Sequence, residues 1–407
     1  MSSAVKVAAI AIFAATYLVI AVGKLPGLRL DRAGAALVGA ALMLAAGVLS
    51  VDEAAQAVDL GTLALLLGLM IVVANLRLAG VFRLVNSWMV AGARHPLPLL
   101  AAVTLSAGIL SAFLLNDAIC LVMTPLVLDL TRRLQRRPLP YLLAVAMAAN
   151  VGSTATITGN PQNILVAGFS QIGYREFAAH LAPVAGAGLV ATMVLIALMH
   201  PGEFFTRSRM PETRVPVHLH KPLAAKAVLV TALMMAALFA GQAPAKAALV
   251  AGGVLLLTRV VRSERIHAAI DWPLLLLFAG LFVVVAGFEK SVLTPPVMQA
   301  IAGLHLDRAP VLTLVTAVLS NLVSNVPAVL VLKPVLAGAP DPHRAWLIVA
   351  MASTLAGNFT ILGSVANLIV VQGARAGGVA IGFWSYFRVG APLTILTILF
   401  GLWWLAG

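Results

Sequence analysis

The chain has 407 residues, 61% of them hydrophobic and 10% charged, with 27 Lys and Arg against 14 Asp and Glu. Soluble domains carry about 25% charged residues, so this chain cannot hide its apolar surface in one aqueous core. Its formal charge of +13 does not point to nucleic acid, because the basic residues sit in short loops between apolar runs, with no patch and no interleaved aromatics.

The apolar runs reach the roughly 18 residues that a helix needs to cross about 30 Å of hydrocarbon, which predicts an all-α polytopic membrane protein. The first run, 4–22, reads as a span rather than a secretory signal, since no clear small-residue cleavage site follows and further runs do. Spans follow at 32–50 and 60–79. An interfacial helix at 80–93 leads into 97–131, an apolar stretch interrupted by Asn116 and Asp117. A long run at 139–168 contains Gly152, Gly159 and Pro161, and 177–199 closes a first half, 1–199. The stretch 200–222, with Pro201, Pro211, Pro216 and Pro222, reads as a cytoplasmic linker. Its His218 and His220 have no companion ligands and read as solvated. The second half, 223–407, holds spans at 223–241, 244–261 and 271–288, then an interfacial segment at 290–304. A second interrupted stretch follows at 309–338, then a broken run at 345–374 and a last span at 383–405. The lone cysteine, Cys120, excludes an intrachain disulfide and reads as a packing residue.

Orientation follows from the basic residues. With the loop after the first span inside, and with 97–131 and 309–338 returning to the side they entered from, twenty of the 27 Lys and Arg fall inside. Lys6, Arg175, Lys246, Lys290, Arg308, Lys333 and Arg344 remain outside or within the membrane. That bias is strong and requires 97–131 to be a re-entrant hairpin, because both its flanks (Arg94; Arg132 to Arg137) are basic. The expected place is the cytoplasmic membrane, multi-pass, with both termini on the non-cytoplasmic side.

Three blocks recur. Asp59–Gly68 matches Asp271–Gly280 at an offset of 212, Leu110–Pro125 matches Leu319–Pro334 at 209, and Ala146–Val166 matches Ala350–Val370 at 204. The informative matches are Asn116/Asn325, Pro125/Pro334, Thr156/Thr360, Gly159/Gly363 and Asn163/Asn367. Each half holds five spans and one hairpin. Five is odd, so the second half should sit upside down, with about ten spans in all, as in the inverted repeats of secondary transporters. The two tips should then meet the two broken spans at the midplane.

The polar residues at these places are the candidate site. Asp117, beside Asn116 at the first tip, is costly in the membrane without a partner and reads as an ion- or proton-coupling group, or with Asn116 as a helix cap. Ser320, Asn321, Ser324 and Asn325 share one helical face by their spacing, and Pro327 suits the first turn of the returning helix. Helix N-termini there favour an anion. In the breaks, Gly152, Gly159, Gly357 and Gly363 would free backbone carbonyls for a transient cation, alongside Ser153, Thr154, Thr156, Thr360 and Ser364. Lys333 reads as a snorkelling side chain, and Glu289 with Lys290 as an interfacial pair.

These motifs resemble the ion transporter superfamily, which includes the divalent-anion/sodium symporters, the citrate transporters, and the ArsB and NhaD branches. The hairpin LNDAICLVMTPLV is similar to the ArsB-type Asn-Asp hairpin, SNVP to the second tip, and GSTATITGNPQN and AGNFTILGSVAN to the Gly/Thr-rich breaks, over roughly 59–392. The resemblance implies two inverted halves and elevator-like alternating access driven by Na⁺ or H⁺. Carried over by position, Asn116, Asp117, Ser324 and Asn325 are tip residues. Asn150, Thr156, Gly159, Asn163, Asn358, Thr360, Gly363 and Asn367 line the breaks. The first tip reads Leu-Asn-Asp where dicarboxylate carriers show Ser-Asn-Thr, which shifts weight to the arsenite-like or poorly characterised anion permeases. The expected function is secondary transport of a small anion or oxyanion, arsenite-, citrate- or dicarboxylate-like. The alternative is NhaD-type Na⁺/H⁺ antiport with Asp117 titrating. No enzyme motif (HExxH, GxSxG or paired intramembrane carboxylates) is present, and no structural metal or cofactor is expected beyond the coupling ion. Expected partners are the solute, the lipid bilayer and at most a second copy in a homodimer.

Overall fold

The computed structural model describes residues 3–22, 30–92, 94–206, 210, 219–257, 260–292, 303–336 and 338–406. Of the expected segments, part of the linker (207–209 and 211–218, with His218) and most of the interfacial segment 290–304 lie outside them. The described residues are helical, without a strand.

The first half runs α1 (Ser3–Val22), α2 (Arg32–Ala45), α3 (Val51–Ala57), α4 (Leu60–Leu78), α5 (Val81–Gly92), α6 (Pro96–Phe113), α7 (Asn116–Arg133), α8 (Pro138–Ser153), a 3₁₀ turn (Ile157–Gly159), α9 (Pro161–Ser170) and α10 (Tyr174–Met199). After the short α11 (Pro201–Phe204) come α12 (Lys221–Phe239), α13 (Pro244–Leu256), α14 (Ser263–His267) and α15 (Trp272–Val292). The chain ends with α16 (Ala309–Val323), α17 (Asn325–Leu336), α18 (Pro342–Ala356), a second 3₁₀ turn (Ile361–Gly363), α19 (Val365–Ala376) and α20 (Phe383–Ala406). Seven helices, α1, α4, α6, α10, α12, α15 and α20, are long and apolar enough to cross a membrane. The expected span 32–50 is shorter than the sequence suggested. Its last turn yields to α3, whose N-terminus is fixed by a capping box between Ser50 and Glu53. The expected span 244–261 likewise ends at Leu256.

Helix directions follow from paired contacts. A Cβ on Gly152 would lie 2.1 Å from the Gly108 carbonyl oxygen, and Thr156 Oγ1 donates to Ala112 O. So α6 runs alongside α8 in the same direction. Asn116, at the start of α7, instead meets Asn150 near the end of α8. Hence α7 runs back antiparallel, and 97–131 is a hairpin folded at Leu114-Leu115. The second half repeats this: Ser320 Oγ donates to Ser353 O at 2.9 Å, Asn321 Nδ2 to Ala356 O at 3.0 Å, and α17 packs back along α18.

The repeat is also visible in how the halves grip each other. A Cβ on Gly68 would lie 2.4 Å from the carbonyl carbon of Ala248, and one on Gly280 2.6 Å from that of Ala36. Both pairs are related by the same offset of 212. Helix α4 therefore crosses α13 as α15 crosses α2, and only glycine permits either approach. Further along, Gly252 lies against Ile71 and Gly287 against Met43, so each crossing pair runs parallel. The end of α15 meets the residues before α4 through Lys290 and Glu53, and its start shares a pocket with Arg77 at the end of α4, so α4 and α13 run opposite to α15 and α2.

Two charged side chains depart from expectation. Lys333 does not snorkel: its Nζ lies 3.4 Å from Glu289 Oε1 and 5.1 Å above the Phe169 ring. Glu289 therefore pairs across to α17, and its neighbour Lys290 pairs with Glu53 at 2.6 Å. The Lys290 ammonium holds the Glu53 carboxyl below the usual carboxylate range. Both partners of the Glu289–Lys333 pair are partly solvated, which limits its worth to about 1 kcal/mol. In a thermal-unfolding cycle of Glu289→Gln, Lys333→Met and the double variant, the coupling energy is expected to stay below about 1 kcal/mol; a larger value would mean that the pair is shielded.

Candidate functional site

The two breaks form because the segments after α8 and α18 spend their backbone polarity on local side chains. Asn163 Nδ2 donates to Ser153 O (3.0 Å) and Thr156 O (2.9 Å). Asn367 Nδ2 donates to the counterparts at offset 204, Gly357 O (2.7 Å) and Thr360 O (3.1 Å). The carbonyls that the sequence suggested as free cation ligands are thus already bonded to asparagine amides. Gly159 and Gly363 let each loop fold under its own helix end: a Cβ would sit 2.1 Å from Ser153 O and 2.8 Å from Gly357 O, respectively.

The halves meet at Asn150. Its Nδ2 donates to Asn358 Oδ1 (2.9 Å) and Asn367 Oδ1 (3.0 Å), and its Oδ1 accepts from Asn116 Nδ2 (3.1 Å) and Ser364 Oγ (3.1 Å). All five residues are buried. The pattern is reciprocated around Thr354, which occupies the position of Asn150 in the second half. Its Oγ1 accepts from Asn160 Nδ2 and Gln162 Nε2, each at 3.2 Å, and donates to Asn163 Oδ1 at 3.3 Å. Asn325 joins through its amide, the nitrogen turned to Ser353 O and Gly363 O (3.2 Å each) and the oxygen to Gln162 Nε2 (3.1 Å).

Four helices begin around this network: α7 at Asn116, α9 at Pro161, α17 at Asn325 and α19 at Val365. Asn160 and Ser364 cap α9 and α19 through Asn163 N and Ala366 N. The N-cap of α7 is Leu115, without a side-chain bond, so Asn116 and Asp117 do not serve as caps. Asn116 Oδ1 is buried without a partner among the described residues. The shared face expected for Ser320, Asn321, Ser324 and Asn325 ends early, because α16 stops at Val323 and Ser324 adopts φ +81°. Ser320 still reaches the tip, bonding the Asn325 side chain at 2.5 Å, whereas Asn321 turns to Ala317 O and Ala356 O.

Of the expected residues, the network gathers Asn116, Asn150, Asn163, Ser153, Asn325, Asn358, Ser364 and Asn367. Thr154 and Thr156 support it from behind, bonded to Asn150 O and Ala112 O, and Gly152 and Gly357 are close-approach positions. Thr360 contributes its carbonyl alone among the bonds described here. Asp117 does not join; its side chain lines a separate vestibule with Arg77 and Asp271. Asn160, Gln162, Ser353 and Thr354 were missed. The signal for Thr354 was available, since the offset of 204 places it opposite Asn150.

Two hairpins and two interrupted helices thus bring a buried network of amides and hydroxyls together between the repeated halves. The family model described as "Citrate transporter" (CitMHS) matches residues 16–356, and the chain belongs to this family. It is 30% identical to the silicon efflux transporter LSI3 of Oryza sativa subsp. japonica, over 93% of each chain. It is also 30% identical to the inner membrane protein YbiR of Escherichia coli K12, over 85% of this chain and 87% of that one, and 23% identical to the putative transporter arsB of Dictyostelium discoideum, over 92% and 87%. Among solved structures, the YdaH transporter of Alcanivorax borkumensis shares the fold with a TM-score of 0.63 at 16% identity, over 87% of this chain and 86% of that one.

Proposed function

We propose that the protein is a secondary active transporter that moves a small oxyanion or weak oxyacid through the Asn150-centred network, coupled to a cation gradient and carried by movement of the hairpin-bearing helices against α2, α4, α13 and α15. The observation that carries this reading is the convergence of four helix N-termini on a network of amides and hydroxyls. Helix N-termini present free N–H groups and partial positive charge, which favour anionic oxygen, and asparagine amides both donate and accept, which suits a solute bearing O–H and O⁻ groups. The described network contains no Lys, Arg or His. Partial charges alone compensate one negative charge far better than three, so the site favours an oxyacid of low charge over a tricarboxylate. The opposed directions of α2 and α13, with the positive-inside count, support an inverted repeat in a cytoplasmic membrane with both termini outside.

The test is uptake into proteoliposomes of arsenite, silicic acid and citrate, each with and without imposed H⁺ or Na⁺ gradients. Saturable, gradient-driven accumulation of arsenite or silicic acid is expected, with citrate at least tenfold slower, and with loss of transport in Asn325→Ala. Citrate moving as fast as either, or wild-type rates in that variant, would overturn the reading.

A further inference from the structure

Asp117 is the one carboxylate at a hairpin tip, and the substrate network does not use it. Asn116 and Asp117 are adjacent in the first turn of α7, so their side chains leave the helix about 100° apart. Asn116 turns to Asn150. Asp117 turns into a vestibule with a cavity of about 100 Å³ between α4, α7, α9, α19 and the start of α15. Its walls are mainly apolar, including Met70, Val73, Leu121 and Ile369, and its charged groups are Asp117, Arg77 on α4 and Asp271 before α15. Arg77 and Asp271 are exposed while Asp117 is half-buried, so the vestibule leads from solvent to the carboxylate. On α7 itself, Cys120 is the neighbouring titratable side chain and is buried.

The repeat shows that the fold does not need this carboxylate. At offset 209 the second tip holds Val326 in its place, and at offset 212 Glu289 stands where the first half has Arg77. The second-half position is closed by the Glu289–Lys333 pair, whereas no hydrogen bond or ion pair joins Asp117 to a described residue. A group kept for structure would recur in both tips.

We infer that Asp117 is the proton-carrying group of the transport cycle, loaded and unloaded through this vestibule and separate from the solute network. Na⁺ fits poorly, because a hard cation takes several oxygen ligands and the lining offers side-chain oxygens from Asp117 and Asp271 alone. The balanced step is Asp117–COO⁻ + H⁺ → Asp117–COOH, with the proton drawn from vestibule water and returned to water on the other side. Protonation removes the cost of carrying a bare carboxylate past apolar walls, so the loaded tip moves and the charged tip stays in contact with the vestibule.

This inference rests on the transport reading, and two measurements separate their failures. Without any solute, infrared titration of the protein in lipid nanodiscs is expected to show a protonated-carboxyl band that disappears in Asp117→Asn, shifts in Asp117→Glu and persists in Asp271→Asn. An unchanged band in Asp117→Asn, or loss in Asp271→Asn alone, overturns the assignment whether or not a solute is known. In proteoliposomes loaded with a pH dye, arsenite or silicic acid entry is expected to move protons in the wild type. Asp117→Asn should lose at least tenfold of pH-gradient-driven accumulation and flatten the pH profile of solute exchange. Wild-type proton movement in that variant overturns the role of Asp117, while solute transport driven by Na⁺ alone overturns proton coupling.

Discussion

Asn150→Ala is expected to abolish transport and to destabilise the protein by about 3 kcal/mol, the largest loss from any single polar side chain here. The amide is the junction of both halves: it makes four hydrogen bonds, to Asn358, Asn367, Asn116 and Ser364. Truncation strands one donor and two acceptors in the buried network and frees a hydroxyl, and each unsatisfied buried group costs about 1–3 kcal/mol, reduced where water enters the space. Asn150→Asp separates geometry from chemistry. The shape is kept, but a carboxylate oxygen would face the Oδ1 atoms of Asn358 and Asn367, which accept from the present amide. It should therefore fail nearly as badly, whereas Thr354→Ala, which removes a hydroxyl in the equivalent place, should cost about half as much. The checks are thermal midpoints in detergent and the uptake assay above. Wild-type stability in Asn150→Ala would show that the halves are held elsewhere.

Much of this arrangement was readable because the chain repeats itself. The offsets of 212, 209 and 204 fix which residues are equivalent, and the structure uses the same equivalences for its contacts, as in Gly68 on Ala248 and Gly280 on Ala36. The first hairpin was readable from charge, since Arg94 and Arg132 both had to stay on one side. What was not readable is which way each polar side chain points. Asn116 and Asp117 look like one motif in sequence, but a rotation of about 100° per residue sends them into different spaces. The partners of the break carbonyls were hidden for a similar reason. Asn163 and Asn367 could be seen as polar residues after a glycine, but their closing of the loops depends on a chain reversal that no local pattern specifies. Lys333 illustrates the limit most clearly: its helix position allows snorkelling, and only the tertiary fold brings Glu289 and Phe169 to it.

The repeat also explains why the two tips can differ in role. Equivalent scaffolding contacts are kept in both halves, at Gly68/Gly280 and Asn163/Asn367, because both crossings and both loops must close for the fold to exist. Asp59 and Asp271 cap their helices in both halves, but three other positions that bear a charge are not kept. Arg77 is answered by Glu289, Asp117 by Val326, and Thr124 by Lys333. An exchange of sign at equivalent positions leaves Glu289 paired with Lys333 on one side and Arg77 lining the open vestibule on the other.

Gly152→Val is expected to remove transport and most folded protein, an effect larger than any loss of a surface contact. At this position the end of α8 lies on the first hairpin: an added Cβ would meet the oxygen, carbonyl carbon and Cα of Gly108 at 2.1, 2.5 and 2.5 Å. All three are backbone atoms, so no rotamer change relieves the clash, and α6 must shift as a unit. Moving α6 away from α8 pulls Ala112 O from Thr156 and carries the tip, with Asn116, off Asn150. The damage therefore passes from packing to the polar network. Gly152→Ala should show a graded form of the same defect, with folded protein recovered but transport reduced at least tenfold, because a displacement of even 1 Å at a hydrogen-bonded site breaks its geometry. Gly186→Ala on α10, where an added Cβ meets nothing within 4 Å, is the matched control and should behave as wild type. Size-exclusion profiles and thermal midpoints report the fold, and uptake reports the site. Equal behaviour of Gly152→Ala and Gly186→Ala would show that α6 is free to yield, and would detach the hairpin's position from the chemistry of its tip.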